Sequence, residues 1–319
     1  MRRKLEESTV VVTGASSGIG RATALAFARR GANVVVAARR QEPLATLARE
    51  CGSAIAVPTD VADPEAVEAL AARAVEAFGR LDVWVNNAAV SLFARLEDSP
   101  LELYRRVIET NFFGYVHGAR AALRRFRDQG SGVLINNASV FATLGAPYIS
   151  AYVASKWAVR SLGESLWQEL SLDGAADVHV CTILPASIDT PFFQHAANRT
   201  GRAIKPLNPV LDGERVADAI VRLTERPRRE RVVGHAGRTL RLTYRLAPAF
   251  GERMNARQVD RDHFEGAPAV DTDGNLLSPM TEWTDVSGGW KDGGGRAVAV
   301  AVLAGAIVPA AAALWFRRR

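Results

Sequence analysis

Only two cysteines, Cys51 and Cys181, occur in 319 residues, and neither stands in a C-x-x-C pair or beside histidines at ligand spacing. A disulfide framework and a thiolate metal centre are therefore not expected. The histidines, His117, His179, His195, His235 and His263, are dispersed, so no metal site is read from them. No apolar run follows Met1; the opening residues lead straight into the strand-like Thr9 to Thr13, and no secretory signal is expected. Long blocks of one charge are also missing. The net charge is +6 and the pI about 9.7, but arginine is scattered along the chain, so no nucleic-acid partner is expected. With 48% hydrophobic and 23% charged residues the chain is too apolar to be disordered. Its length suits one large domain with an appendage, since single cores stop growing near ~250 to 300 residues.

The first two hundred residues alternate short β-branched runs with longer helical patterns, the mark of βαβ units around a parallel sheet. Strands are expected at Thr9 to Thr13, Asn33 to Ala37, Ala54 to Val57, Val83 to Asn86, Gly132 to Asn136 and Val178 to Leu184. Helices are expected at Ile19 to Arg30, Pro64 to Phe78, Asn111 to Arg127 and Ala151 to Leu172. Pro64 suits a first helical turn capped by Asp63. Beyond Pro191 the alternation fades: Phe192 to Pro209 reads as a mobile segment, Glu214 to Glu225 as a helix and Arg231 to Val233 as a last short strand.

The C-terminal third has a different composition. Arg238 to Phe250 is basic and apolar together, and either lies on anionic lipid or packs as a surface helix. Asp271 to Gly295, rich in Gly, Asp, Ser and Thr, reads as a linker. Ala297 to Phe316 carries no charge and is followed by three arginines, long enough for a helix to cross a ~30 Å hydrocarbon core. Trp290 and Trp315 would then mark the two interfaces. The expected organisation is thus residues 1–235 as a catalytic domain with a substrate loop near 190–210, 236–295 as an extension and linker, and 297–316 as a membrane tail. The expected location is membrane-associated with the catalytic domain in the cytoplasm.

Chemistry concentrates in three places. Val10 to Gly20 places T-G-x-x-x-G-x-G between a buried strand and a helix. There Gly14 permits a tight turn, Gly18 lets the backbone approach a pyrophosphate, Gly20 lets helix and strand pack closely, and the helix N-terminus faces the phosphates. At the end of the second strand, where an NAD enzyme places a carboxylate for the ribose hydroxyls, this chain has Arg39 and Arg40. Guanidiniums suit a 2′-phosphate, so NADP(H) is expected. Third, Tyr152 and Lys156 lie four apart on one expected helix, with Ser139 upstream. A neighbouring ammonium favours phenolate and so lowers a tyrosine pKa toward neutrality.

Together these segments resemble the short-chain dehydrogenase/reductase family over roughly Ser8 to Arg231. The matching residues are Thr13 to Gly20, Asp60-Val61, Asn86 to Ala89, Asn111, Ser139, Tyr152 with Lys156, and Pro185 to Thr190. The resemblance implies a Rossmann-like doubly wound parallel sheet and an NADP-dependent oxidoreductase interconverting a carbonyl and an alcohol. It implies Tyr152 as general acid/base, Ser139 orienting the carbonyl, Lys156 binding the nicotinamide ribose and Asn111 holding a relay water. Gly14, Ser16, Ser17, Gly18, Ile19 and Gly20 would cradle the phosphates, with Arg39 and Arg40 beside them. Asp60 and Val61 would meet adenine, Asn87 and Ala88 would line the pocket, and Pro185, Ile188 and Thr190 would fix the carboxamide. Ala89 and Ala186 stand where the family usually has glycine. Tyr148 has no lysine four residues on, and His195 falls in the substrate loop. Pairing through Asn111 to Arg127 and Ala151 to Leu172 would give a homodimer or homotetramer. The membrane tail, with Phe192 and Phe193, points to a lipophilic small-molecule carbonyl or alcohol. The competing reading is a cofactor-sensing or scaffold protein that keeps the fold without catalysis; such proteins usually lose a catalytic residue, and here all four are present.

Overall fold

The computed structural model describes residues 4–234 and 246–291. Strands β1 (Thr9–Thr13), β2 (Asn33–Ala38), β3 (Ala54–Pro58), β4 (Val83–Asn86), β6 (Gly132–Asn137), β7 (Val178–Pro185) and β12 (Glu230–Val233) form one parallel sheet in the order β12-β7-β6-β4-β1-β2-β3. Short strands β5 (Leu92–Phe93), β8 (Ile188–Asp189), β9 (Ala197–Asn198), β10 (Arg202–Ile204), β11 (Leu211–Asp212) and β13 (Phe264–Pro268) pair outside it. Because strand order reverses between β1 and β4, the loops leaving those two strands splay apart and open a crevice at their carboxyl ends.

The valine runs explain the sheet. Val10 and Val12 of β1 face a layer that includes Phe27 of α1 (Gly18–Ala28) and Ile220 of α7 (Gly213–Glu225), while Val11 faces the opposite layer. That second layer includes Leu70 of α3 (Pro64–Phe78), Phe126 of α5 (Gly114–Gln129) and Leu170 of α6 (Ser150–Leu172). A strand covered on both faces has no solvent side, so its residues need not alternate with polar ones. The Asp63 carboxylate accepts from the amides of Glu65 and Ala66 and caps α3, with Pro64 in the first turn.

Several expectations are corrected. The helix expected from Asn111 begins earlier, as α4 (Leu101–Ile108), and passes through a π turn at Glu109–Phe113 before α5. The π turn lies beside the site, where such insertions re-aim side chains. Helix α2 (Gln41–Cys51) and the helix Pro248–Asp262 were not expected. The segment read as mobile carries buried residues from His195 to Asn198, with Ala197 and Asn198 paired to Leu92 and Phe93.

Asp271 to Lys291 is no linker. Leu276 is fully buried, and Trp290, expected at a membrane interface, stacks edge-on against Phe193 at 5.8 Å and donates its indole N–H to the Thr190 carbonyl at 3.1 Å. Residues 297–316 lie outside the described residues, as do Arg238, Arg241 and Arg245. Among the described residues no helix is long and apolar enough to cross a membrane. The longest, α6, carries Lys156, Arg160, Glu164 and Glu169. The membrane-associated location is accordingly withdrawn.

Candidate active site

A cavity of about 740 Å³ opens at the switch point and takes in the glycine turn, Arg39, Arg40, Asp60, Ser139, Tyr152 and Lys156. The remaining expected residues Ser16, Ser17, Ile19, Val61, Asn87, Ala88, Pro185, Ile188 and Thr190 line it as well. Gly20 and Asn111 stand behind the wall.

The glycine turn is fixed by close approach. Gly14 has φ +65°, and a Cβ there would fall 2.6 Å from the Ala88 Cα; one on Gly20 would fall 2.2 Å from the Gly14 carbonyl oxygen. A side chain at Gly14 would collide with the loop after β4, and one at Gly20 would lift α1 off the turn that follows β1. Asn87 fastens the turn by donating to the Thr13 carbonyl at 2.9 Å and the Gly14 carbonyl at 3.2 Å, and its own Oδ1 accepts from Asn137 Nδ2 at 2.8 Å.

At the far end of α1's mouth the two arginines have different surroundings. Arg40 donates from Nε and Nη2 to Ser16 Oγ at 3.1 and 3.0 Å and from Nη2 to the Ser16 carbonyl at 3.2 Å. Its Nη1 reaches the Met280 and Glu282 carbonyls at 3.2 and 2.8 Å. All its nitrogens therefore have protein acceptors. Arg39 donates from Nη1 to the Leu276 carbonyl at 3.2 Å and from Nη2 to the Asn275 carbonyl, and its Nε has no acceptor among the described residues. Burial lowers the pKa of both. Asp60 accepts from the Ala62 amide at 3.0 Å and pairs with Arg106. Burial raises the Asp60 carboxyl, but the Ala62 amide and the Arg106 and Arg39 guanidiniums outweigh it and leave its pKa lowered.

On the other side of the switch point, β6 ends at Asn137 and the chain turns at Ser139, whose Oγ accepts from the Phe141 amide at 3.2 Å. Tyr152 and Lys156, four apart on α6, both project into the cavity. The effect expected of the lysine is not the one found: burial pushes Tyr152 up to about 12, against a hydrogen bond with Ser139 that lowers it, and burial brings Lys156 down to about 7. Lys156 Nζ is turned to Tyr115 Oη at 3.1 Å and the Asn137 carbonyl at 2.9 Å. Asn111 uses its side chain within the protein. Its Oδ1 accepts from the Val90 amide at 2.8 Å, and its Nδ2 donates to the Val90 carbonyl at 2.9 Å and Ser155 Oγ at 3.2 Å, so it ties the loop after β4 to α6.

The stretch 275–290 forms an outer wall that sequence reasoning missed. Besides the carbonyls that receive Arg39 and Arg40, its Asp285 carbonyl accepts from the Gly18 amide at 2.9 Å. Beyond that, the buried Asp189 carboxylate accepts from Ser287 Oγ at 2.6 Å and from the amides of Gly288 and Trp290 at 3.0 and 2.9 Å. His195, expected in the substrate loop, is buried with Nε2 3.3 Å from the Glu282 carbonyl, and burial lowers its pKa. Tyr148 instead donates to Asp260 at 2.7 Å. Arg106 carried no signal in the sequence, because its partner Asp60 lies 46 positions away; Asp189 falls in the matched Pro185 to Thr190 segment, but its partners at 287–290 lie 98 or more positions on.

The remaining end of the cavity is mostly apolar, bounded by Phe141, Ile149, Phe192, Phe193, Leu207 and Met254, with Asn208, Asn255, Gln258 and His263 also in the lining. Phe192 lies edge-on to the Tyr152 ring at 5.4 Å.

Comparison with known proteins identifies the family. The model of the short chain dehydrogenase family matches residues 8–200. The uncharacterized oxidoreductase YxnA of Bacillus subtilis (strain 168) is 38% identical over 258 residues, covering 79% of this chain and 72% of that one. An uncharacterized oxidoreductase of Staphylococcus haemolyticus is 35% identical over 226 residues, covering 70% of this chain and 94% of its own. Among solved structures, an alcohol dehydrogenase from the archaeon Thermococcus sibiricus, complexed with 5-hydroxy-NADP, superposes with a TM-score of 0.61 at 29% identity, over 71% of this chain and 94% of that one. The chain belongs to the short-chain dehydrogenase family and is an oxidoreductase with a Rossmann-like parallel sheet.

Proposed function

We propose that the protein interconverts a carbonyl and an alcohol with NADP(H), on an apolar small molecule. The observation that carries this reading is the meeting in one cavity of the glycine turn, Arg39, and the Ser139, Tyr152 and Lys156 side chains. The residues fit a dinucleotide. The Gly14 and Gly20 contacts leave no room for a side chain, and Asn137 Oδ1 and Asn275 Oδ1 are buried in the wall with no hydrogen-bond partner among the described residues, a deficit that a polar ligand relieves.

When bound, the nicotinamide supplies or accepts hydride. Tyr152, held protonated by burial, is suited to deliver its proton to the carbonyl oxygen during reduction, and Ser139 Oγ to hold that oxygen. Lys156 would meet the nicotinamide ribose, and Thr190 the carboxamide. Arg39 is the proposed partner of the 2′-phosphate, because Arg40 is already used to lock Ser16 to residues 280–282. The Thermococcus enzyme's 5-hydroxy-NADP supports the same choice of nucleotide. Residues 275–290 would then close over the nucleotide. The aromatic and aliphatic wall at the other end suits an apolar ketone, aldehyde or alcohol better than a charged one.

The test is binding before turnover. Titration of NADPH and NADH by nucleotide fluorescence should show at least tenfold tighter NADPH binding, followed by a carbonyl panel read at 340 nm; equal affinity for the two nucleotides would reject the NADP assignment.

A further inference from the structure

The buried end of the site holds one titratable group that no motif announces. Tyr115, in the first turn of α5, is 1% exposed and packs with Ala138, Ala142 and Val159. Its hydroxyl donates to the Asn137 carbonyl at 2.8 Å and accepts from Lys156 Nζ at 3.1 Å, while Nζ donates to that same carbonyl at 2.9 Å. The three groups close a triangle. The ammonium also lies 4.8 Å from the centre of the Tyr115 ring and 5.6 Å from that of Tyr152.

A buried ammonium is costly unless hydrogen-bonded, and no carboxylate pairs with Lys156 among the described residues. The groups that face it are Tyr115 from α5, Tyr152 from its own helix, and the Asn137 carbonyl from β6. Of these only the two phenols titrate. A hydroxyl that accepts from the ammonium stabilises the charged form specifically, and the ring face beneath it adds a cation–π contribution.

We propose that Tyr115 is a positioning residue of the active site, whose hydroxyl fixes Lys156 Nζ against the Asn137 carbonyl and keeps it charged for the nicotinamide ribose. Its purpose, though not its geometry, rests on the nucleotide reading above. Tyr115 is not itself part of the cavity's lining; it stands behind Asn137 and Lys156, which are, and acts through Lys156.

The chain contains four lysines, Lys4, Lys156, Lys205 and Lys291, so a sample labelled with 13C at the lysine ε carbon gives a readable titration. The Lys156 signal is assigned by its loss in Lys156→Met. In the native protein it should titrate near 7, and in Tyr115→Phe, which keeps the ring and removes the acceptor, roughly one pH unit lower. The other three signals should not move. NADPH affinity should then fall about tenfold at pH 8, where few ammoniums remain, but only about twofold at pH 6. An unchanged Lys156 titration overturns the proposal, as does a loss of affinity equal at both pH values, which would mark a packing role. A Tyr115→Phe chain that does not fold also overturns it, by making the hydroxyl a requirement of the fold. If the Lys156 shift appears but the native protein binds no NADPH, the nucleotide reading fails and the assignment of Tyr115 stands.

Discussion

Replacing Leu276 by alanine should unfasten residues 275–290 while leaving the sheet intact. Leu276 is fully buried among Val90, Leu92, Leu103, Val107 and Ala197, a cluster separate from the two layers that cover the sheet. Buried leucine-to-alanine changes cost about 2–5 kcal/mol. The other fastenings of the segment, its hydrogen bonds with Arg39, Arg40 and Asp189 and the packing of Trp290 on Phe193, survive the change. The cost should therefore fall on local opening rather than on global unfolding. At about 1.4 kcal/mol per tenfold, a loss near 3 kcal/mol raises the open population about a hundredfold. Hydrogen exchange read by mass spectrometry should show peptides across 275–290 exchanging about a hundredfold faster, with peptides of β1 and β4 changed far less. Release of NADPH in stopped flow should accelerate in parallel. The reasoning is refuted if exchange across 275–290 is unchanged, or rises only in step with that of the sheet.

Tyr152→Phe should abolish turnover while leaving the NADPH dissociation constant within about twofold, read by fluorescence titration, because only the proton carrier is lost. Arg39→Ala should weaken NADPH about 10- to 100-fold more than NADH, by loss of a charge-assisted pair; Arg40→Ala, which loosens Ser16 and the outer wall, should weaken both nucleotides alike. Stability should report the buried lysine. Lys156 sits near 7 in the folded chain against an ordinary value of 10.5, so the unfolded chain binds its proton more tightly and the penalty on folding is full below pH 7. That penalty fades as pH rises toward 10.5, so Lys156→Met should raise the urea midpoint at pH 6.5 and lose the advantage near pH 10.

Part of the candidate site was legible because its spacing is local in sequence. Tyr152 and Lys156 share a helix face by spacing alone, and Gly20 is required by its contact with Gly14 inside one strand–turn–helix unit, although Gly14 and Gly18 are crowded by the distant Ala88 and Thr190. The doubly wound fold was legible for a similar reason: unbroken valine runs separated by helical periods admit few other arrangements. Helix α2 escaped because Pro43 falls in its first turn and only two of its residues, Leu44 and Leu47, are buried.

What the linear chain determined, then, is the kind of sheet, the glycine turn and the placing of Tyr152 and Lys156 on one helix face, since each shows in a local pattern. Tertiary structure alone decided that Asp271 to Lys291 is a wall and not a linker, because Gly- and Ser-rich composition says nothing about the carbonyls it offers to Arg39 and Arg40. Tertiary structure also decided which protonation states the site favours. A lysine beside a tyrosine in sequence was expected to lower the phenol; burial raised Tyr152 and lowered Lys156, and a tyrosine 41 positions away received the ammonium. Desolvation depends on everything that surrounds a group, and that is fixed only when the chain has folded.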